Sequence, residues 1–241
     1  MLACVCALSL AASAAVAQGF EGTYTTRKVT LRSEAVEEQV GEQHDKIFDL
    51  SIDRLMRLGA SVDTTVMWIK GARFRGQTME MPGTSSAYMI INTATQVMTM
   101  VIPAQRSYYE VSLAGASEAA EDAAHEPEPT VQPLGRTQVI GGLRCTGYRV
   151  AEEGTVSLVW TTNDRTYRQV FETQMRAWQL GERGGEAKML TWFRKYGFPV
   201  MTQALDESEG YSVEVITLTP GSQPDSLFIV PAGFRKTRPG R

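Results

Sequence analysis

Apolar and polar positions alternate along most of the chain, which predicts a protein built mainly of short strands. Residues Phe20 to Leu31 (FEGTYTTRKVTL) alternate and are rich in Thr, Tyr and Val, the signature of an opening strand. From Glu34 to Leu58 the period becomes helical. Ile47, Ser51, Leu55 and Leu58 share one stripe, with Phe48, Ile52 and Met56 beside it and Gly59 as the stop. A meander of strands follows at Thr64–Lys70, Ala72–Met81, Ser85–Asn92, Gln96–Ile102 and Ser107–Leu113. Gly71, Pro82-Gly83, Thr93-Ala94-Thr95 and Pro103-Ala104 separate them. Strands this short with turns this tight predict an antiparallel sheet or barrel.

The alternation stops at Ala114. Residues 114–135 (AGASEAAEDAAHEPEPTVQPLG) hold five acids, three prolines and almost no large apolar side chain, the composition of a flexible surface linker. Strands resume at Arg136–Ile140, Leu143–Ala151 and Thr155–Thr161. Asp164 then stands as the N-cap of a helical region reaching Tyr196. Val170, Phe171, Gln174, Met175 and Trp178 lie on one side of it, and Gly181 to Gly185 form an interruption. Two further strands, Val200–Asp206 and Tyr211–Pro220, precede a closing strand at Ser226–Pro231 and a basic, solvated tail, FRKTRPGR.

Composition narrows the function classes. The 241 residues are 43% hydrophobic, enough for a sizeable core, which excludes bulk disorder. With 24 Lys+Arg against 27 Asp+Glu, no excess of cations exists to neutralise a phosphate backbone, so nucleic acid is not an expected partner. Residues 1–17 read as a signal peptide: the stretch to Gly19 is uncharged, and Ala15-Val16-Ala17 has the small-x-small form of a cleavage site. A membrane anchor, or lipidation at Cys4, is the alternative use of that segment. The remainder, 18–241, reads as a single domain in the periplasm or secreted. Cys145 alone then remains in the mature chain, so no internal disulfide forms.

Catalytic chemistry finds little to build on. The only histidines are His44 and His125, and none of the common nucleotide, nucleophile-elbow, zincin or redox motifs occurs. The clustered acids fall on helix faces, in the linker and in turns. We therefore expect no enzyme, no catalytic residues, no metal and no cofactor. The unusual feature is apolar: six of the 11 methionines fall in the meander, at Met67, Met79, Met81, Met89, Met98 and Met100. Alternation puts Met79 with Met81, and Met98 with Met100 and Ile102, on common sheet faces. Flexible, polarizable thioethers suit a cavity for acyl chains, and they equally suit the filling of irregular gaps in a core. Two amphipathic segments, Phe48–Leu58 and Val170–Phe193, are available as lids. On the cavity reading, Trp68, Met79, Met81, Met89, Met98, Met100, Phe171, Met175 and Trp178 line the site.

Several local phrases carry a family resemblance. Val66-Met67-Trp68-Ile69-Lys70-Gly71-Ala72-Arg73-Phe74-Arg75 resembles a hairpin of secreted bacterial proteins related to the outer-membrane lipoprotein-sorting proteins, the LolA/LolB-like superfamily. Ile91-Asn92-Thr93 through Tyr108-Tyr109-Glu110 is similar to the strands that follow there. Gly142 to Val150 with Trp160 and Asp164, then Gly197-Phe198-Pro199-Val200 and Phe228-Ile229-Val230-Pro231, resemble that family's core and closing strands. The resemblance implies an α+β fold, a half-open antiparallel β-barrel (LolA-like) with helical lids over an apolar cavity. It also implies a non-enzymatic carrier of lipid or lipoprotein acyl chains, in the periplasm or at the outer membrane. The partners expected are a lipid or an acylated protein, and the membrane surface by peripheral contact. The alternative is an envelope structural module with a filled core that binds a protein partner.

Overall fold

The computed structural model describes residues 19–40, 44–77, 87–113, 129–152, 155–179, 185–206 and 210–238. The strands are β1 (Glu21–Leu31), β2 (Ser61–Lys70), β3 (Arg73–Gln77), β4 (Tyr88–Asn92), β5 (Val97–Ile102), β6 (Ser107–Ser112), β7 (Thr130–Ile140), β8 (Leu143–Glu152), β9 (Thr155–Thr162), β10 (Phe198–Asp206), β11 (Gly210–Pro220) and β12 (Arg235–Lys236). Helices α1 (Ser33–Val40) and α2 (Ile52–Arg57) follow β1, and α3 (Arg165–Gln179) and α4 (Gly185–Tyr196) follow β9. Among the described residues, all twelve strands belong to one open sheet, ordered β12-β6-β5-β4-β3-β2-β1-β11-β10-β9-β8-β7. Each pairing is antiparallel except β12 with β6. The expected α+β architecture, a large antiparallel sheet with few helices, is what the chain adopts.

Four expectations need correction. The strand after the linker begins at Thr130 instead of Arg136, so residues 130–135 are not linker; residues 114–128 lie outside the described set. β7 is an edge strand, where a proline's missing N–H is tolerated, and its register shifts between Pro133 and Thr137. The single helix expected over 34–58 is three pieces, because a 3₁₀ turn at His44–Asp49 intervenes and Ser51 caps α2 by accepting the Arg54 N–H at 3.2 Å. The closing strand at Ser226–Pro231 is a 3₁₀ turn, Asp225–Phe228, inside a segment that crosses the sheet instead of extending it. Part of the basic tail is not free in solvent, since Arg235 and Lys236 pair with β6 and Lys236 forms an ion pair with Glu110. Asp164 does cap α3, accepting the N–H groups of Thr166 at 2.8 Å and Tyr167 at 3.1 Å.

The sheet divides between β10 and β11. These strands pair only from Met201 to Asp206. Beyond Met201, β10 stays with β9 as far as Phe198, past a bulge at Val200, while β11 stays with β1 as far as Pro220. Helices α3 and α4 enter the wedge that opens there. Phe171 packs with Tyr24 of one wing at 5.9 Å between ring centroids and with Phe198 of the other at 5.7 Å; Phe193 meets Phe171 at 5.7 Å. This is the largest core cluster. A second one holds Val29, Leu31, Ile47, Phe48, Leu55, Tyr211 and Val213 beneath α1, the 3₁₀ turn and α2. The two expected lids therefore serve different clusters instead of one shared cavity.

Candidate functional site

β2 to β6 are in uninterrupted register, which fixes the side chains that share a face. One cross-strand row reads Tyr24, Met67, Gly76, Met89, Met100, Tyr109, and the next reads Gly22, Ile69, Phe74, Ile91, Met98, Val111. Both rows lie on the face that carries the largest cluster. Gly76 is central to the first row. A Cβ there would lie 3.5 Å from Cε of Met89 and 3.9 Å from Cε of Met67, so two thioether methyls close over a position with no side chain. Met67 is buried, whereas Met89, Met98 and Met100 are half-buried, so the row runs from core into partial exposure. The result is an apolar strip of flexible side chains whose glycine floor is covered by two thioether methyls.

The nine residues expected to line a cavity divide accordingly. Met89, Met98 and Met100 share the strip, and Phe171 stands at its β1 end over Tyr24. Trp68 is on the opposite face of β2, because its neighbour Met67 takes the strip side. Met79 and Met81 lie outside the described residues. Met175 and Trp178 are within α3, but their side chains are outside the described set. Met67, named among the meander methionines but not among the nine, joins the strip, as do Gly76 and Tyr109, which the sequence did not single out. Alternation alone could not choose between Met67 and Trp68, since both faces of β2 are apolar; the pairing of Met67 with Tyr24 decides it.

The opposite face of this wing is closed by residues 221–237, which form a strap. Gly221 N–H donates to the Glu21 carbonyl at 3.1 Å and the Lys70 ammonium donates to the Gln223 carbonyl at 2.8 Å. Arg73 meets Asp225 at 2.7 Å and stacks 5.1 Å over the Phe228 ring. Arg75 donates to the Leu227 carbonyl at 3.2 Å, and its guanidinium lies 3.9 Å from the Tyr88 ring and 5.7 Å from that of Trp68. Phe228 is buried with Tyr88, Ile90 and Val101. Arg73 and Arg75 are thus occupied in holding the strap. Hydrogen bonding by Arg73 holds the Asp225 carboxyl below its usual range, and the Gln223 N–H does the same for Glu21.

A cavity of about 200 Å³ sits in the wedge between β10 and β11, lined in part by Ile140, Leu143, Tyr167, Val200, Ile216 and Leu218. None of the expected residues whose side chains are described lines it. It falls below the ~300–1,000 Å³ of ordinary small-molecule sites. Tyr167 donates its hydroxyl to the Ile216 carbonyl at 3.0 Å. Cys145 is fully buried and its thiol is pushed up by desolvation, which disfavours the thiolate a nucleophile needs. Gln174 is 6% exposed on the sheet-facing stripe of α3, and its Oε1 has no hydrogen-bond partner. Among the described residues, no three His, Cys, Asp or Glu side chains are grouped to hold a metal, and no helix is long and apolar enough to cross a membrane.

An open twelve-stranded sheet with two helical covers, a methionine strip and a C-terminal strap defines the class of protein. The chain belongs to the family described as a domain of unknown function (DUF4412), whose profile matches residues 55–234. That span takes in the meander, the wedge helices and the strap as far as Phe234. No curated protein matches the chain. Among solved structures, it is similar to an uncharacterized conserved protein from Thermus thermophilus, with a TM-score of 0.41 and 6% identity over 91% of each chain. It is also similar to PNGF-II, with a TM-score of 0.36 and 12% identity over 90% of this chain and 31% of that one. The chain thus spans about a third of the length of PNGF-II.

Proposed function

We propose that this protein binds acyl chains without catalysing a reaction, as a LolA-like half-open barrel of the bacterial envelope whose α3–α4 pair serves as a movable lid. The observation that carries this reading is the glycine-floored methionine row from Met67 to Met100. Thioethers adapt to chains of varied shape, and the flexible Met67 and Met89 methyls that cover Gly76 are what an alkyl chain would push aside to lie along the row. Burial of the ligand's apolar surface, at ~25 cal/mol per Å², is the driving force. Phe171 of α3 stands over Tyr24 at the β1 end of this row, so seating a chain along Met67 and Gly76 requires the helices to withdraw. Phe171 and Phe193, which hold the helices to both wings, are the contacts that would break. On this reading the partners are a lipid or an acylated protein in the periplasm or at the outer membrane, and no cofactor is needed.

Native mass spectrometry with lipid extraction, on protein purified from a bacterial periplasm, tests the proposal. A stoichiometric co-purifying lipid or acylated peptide is the expected result. Bare protein that also fails to take up a fluorescent fatty acid would overturn it, and the weight would move to an envelope interaction module whose three packed clusters are simply filled.

A further inference from the structure

We infer that Gln174 reads the head of the acyl ligand, accepting a hydrogen bond from an N–H or O–H next to the chain, so that the preferred ligand is amide-linked or hydroxylated instead of a simple ester. This rests on the acyl-binding proposal and adds the ligand's chemical class to it. Two buried side-chain polar atoms of the described residues lack partners, Arg75 Nε and Gln174 Oε1. The first belongs to a guanidinium already bound to the Leu227 carbonyl and stacked on Tyr88 in the strap. The second has no such explanation. Its residue is more than nine-tenths buried, on the same stripe as Tyr167, Val170 and Phe171, which belong to the largest core cluster. An acceptor left bare in such surroundings is costly, and native folds supply it with a donor.

The helix geometry says where that donor would be. Tyr167 touches β11 through Ile216, and Phe171, one turn later, touches β1 through Tyr24. In sheet order the next strand is β2. Gln174 is three residues beyond Phe171, ~4.5 Å along the axis at 1.5 Å per residue, close to the ~4.8 Å between strands. Its amide therefore reaches toward the Met67–Gly76 portion of the strip, where the proposed chain would lie. A polar head bearing a donor would satisfy Oε1 while its chain continues toward Met89 and Met100.

The test compares N-methyldodecanamide with methyl dodecanoate, which differ in an N–H against an ester oxygen, as competitors for a bound fluorescent fatty acid. Wild-type protein should prefer the amide by about tenfold, the factor that corresponds to ~1.4 kcal/mol. Gln174→Met keeps the side-chain length and removes the acceptor. It should fold with undiminished urea resistance and bind the two probes within about twofold of each other. Equal affinities in the wild type, or a preference that survives in Gln174→Met, would overturn the assignment while leaving acyl binding intact. If neither probe displaces the fluorophore from wild-type protein, the acyl-binding proposal falls and this inference with it.

Discussion

Gln203 shows how much of the fold hangs on single polar side chains. It is buried, donates from Nε2 to the Phe48 carbonyl at 2.9 Å and to the Tyr211 hydroxyl at 2.8 Å, and accepts the Trp160 indole N–H at 3.3 Å. One amide so joins the 3₁₀ turn to β9, β10 and β11. Gln203→Leu leaves all three partners unsatisfied in the core, and we expect a loss of ~2–4 kcal/mol in urea unfolding. A loss under ~1 kcal/mol would mean that water replaces the amide. Burial also pushes the Tyr24 and Tyr211 phenols up to about 12, from the ordinary value of 10. Because the folded values are raised, their contribution to stability is complete below pH 10 and is lost as pH rises from 10 toward 12. Tyrosinate absorbance should therefore show two of the eight tyrosines ionising last, together with unfolding. At this scale the sequence was partly readable. The helical period placed Gln174 on the same side as Val170 and Phe171, but nothing local distinguished Gln203 from a surface glutamine.

The strap is the element that alternation concealed. Phe228-Ile229-Val230-Pro231 has the composition of a strand, yet its anchors are arginine, lysine and aromatic side chains of β2, β3 and β4 about 150 residues earlier, as with Arg73 and Asp225, 152 positions apart. Long-range side-chain anchoring leaves no periodic trace. Most of the sheet strands, by contrast, were legible to within about three residues, because one buried face enforces a period of two; the first half of β7 and the edge strand β12, both at the sheet's margins, were not. The carboxyls of Glu21 and Asp225, held low by the Gln223 N–H and by Arg73, make the strap acid-sensitive. Depressed carboxyl values stabilise the folded state above the unfolded values of 4.5 and 3.8, and that gain is lost as pH falls through the folded values. Hydrogen exchange at Leu227 and Phe228 should accelerate below about pH 4 while β9 and β10 stay protected. Exchange rising equally in both places would show that the strap does not open separately. Phe228→Ala removes the ring under Arg73 and should free the strap at neutral pH, at a cost of ~3 kcal/mol in line with buried Phe truncations.

For the molecule as a whole, the division of the sheet matters more than the count of its strands. Most strands could be read from their own residues, but the wedge arises because β10 and β11 stop pairing at Met201, and the end of a ladder depends on a bulge and on helices inserted between the strands. The expectation of two lids over one cavity failed for this reason, as did the grouping of Trp68 with the methionines. Had β2 been polar on one face, Trp68 and Met67 could have been separated from sequence; Arg75 stacks on Trp68 and Tyr88 beneath the strap, and so both faces of β2 carry large apolar side chains. The strip can be tested at Gly76. A Cβ added there makes only ordinary contact with Met67 and Met89, so Gly76→Ala should fold normally and retain acyl binding. Gly76→Leu extends further into the space under the two thioether methyls. It should still fold, because those chains are flexible and leucine suits a strand no worse than glycine, but a ligand would find its groove filled. We expect uptake of a fluorescent fatty acid to fall by at least about tenfold, a loss of ~1.4 kcal/mol or more, in Gly76→Leu and to be unchanged in Gly76→Ala. A well-folded Gly76→Leu protein that binds as the wild type does would move the acyl chain away from the strip, and the wedge between β10 and β11 would be the place left to look for it.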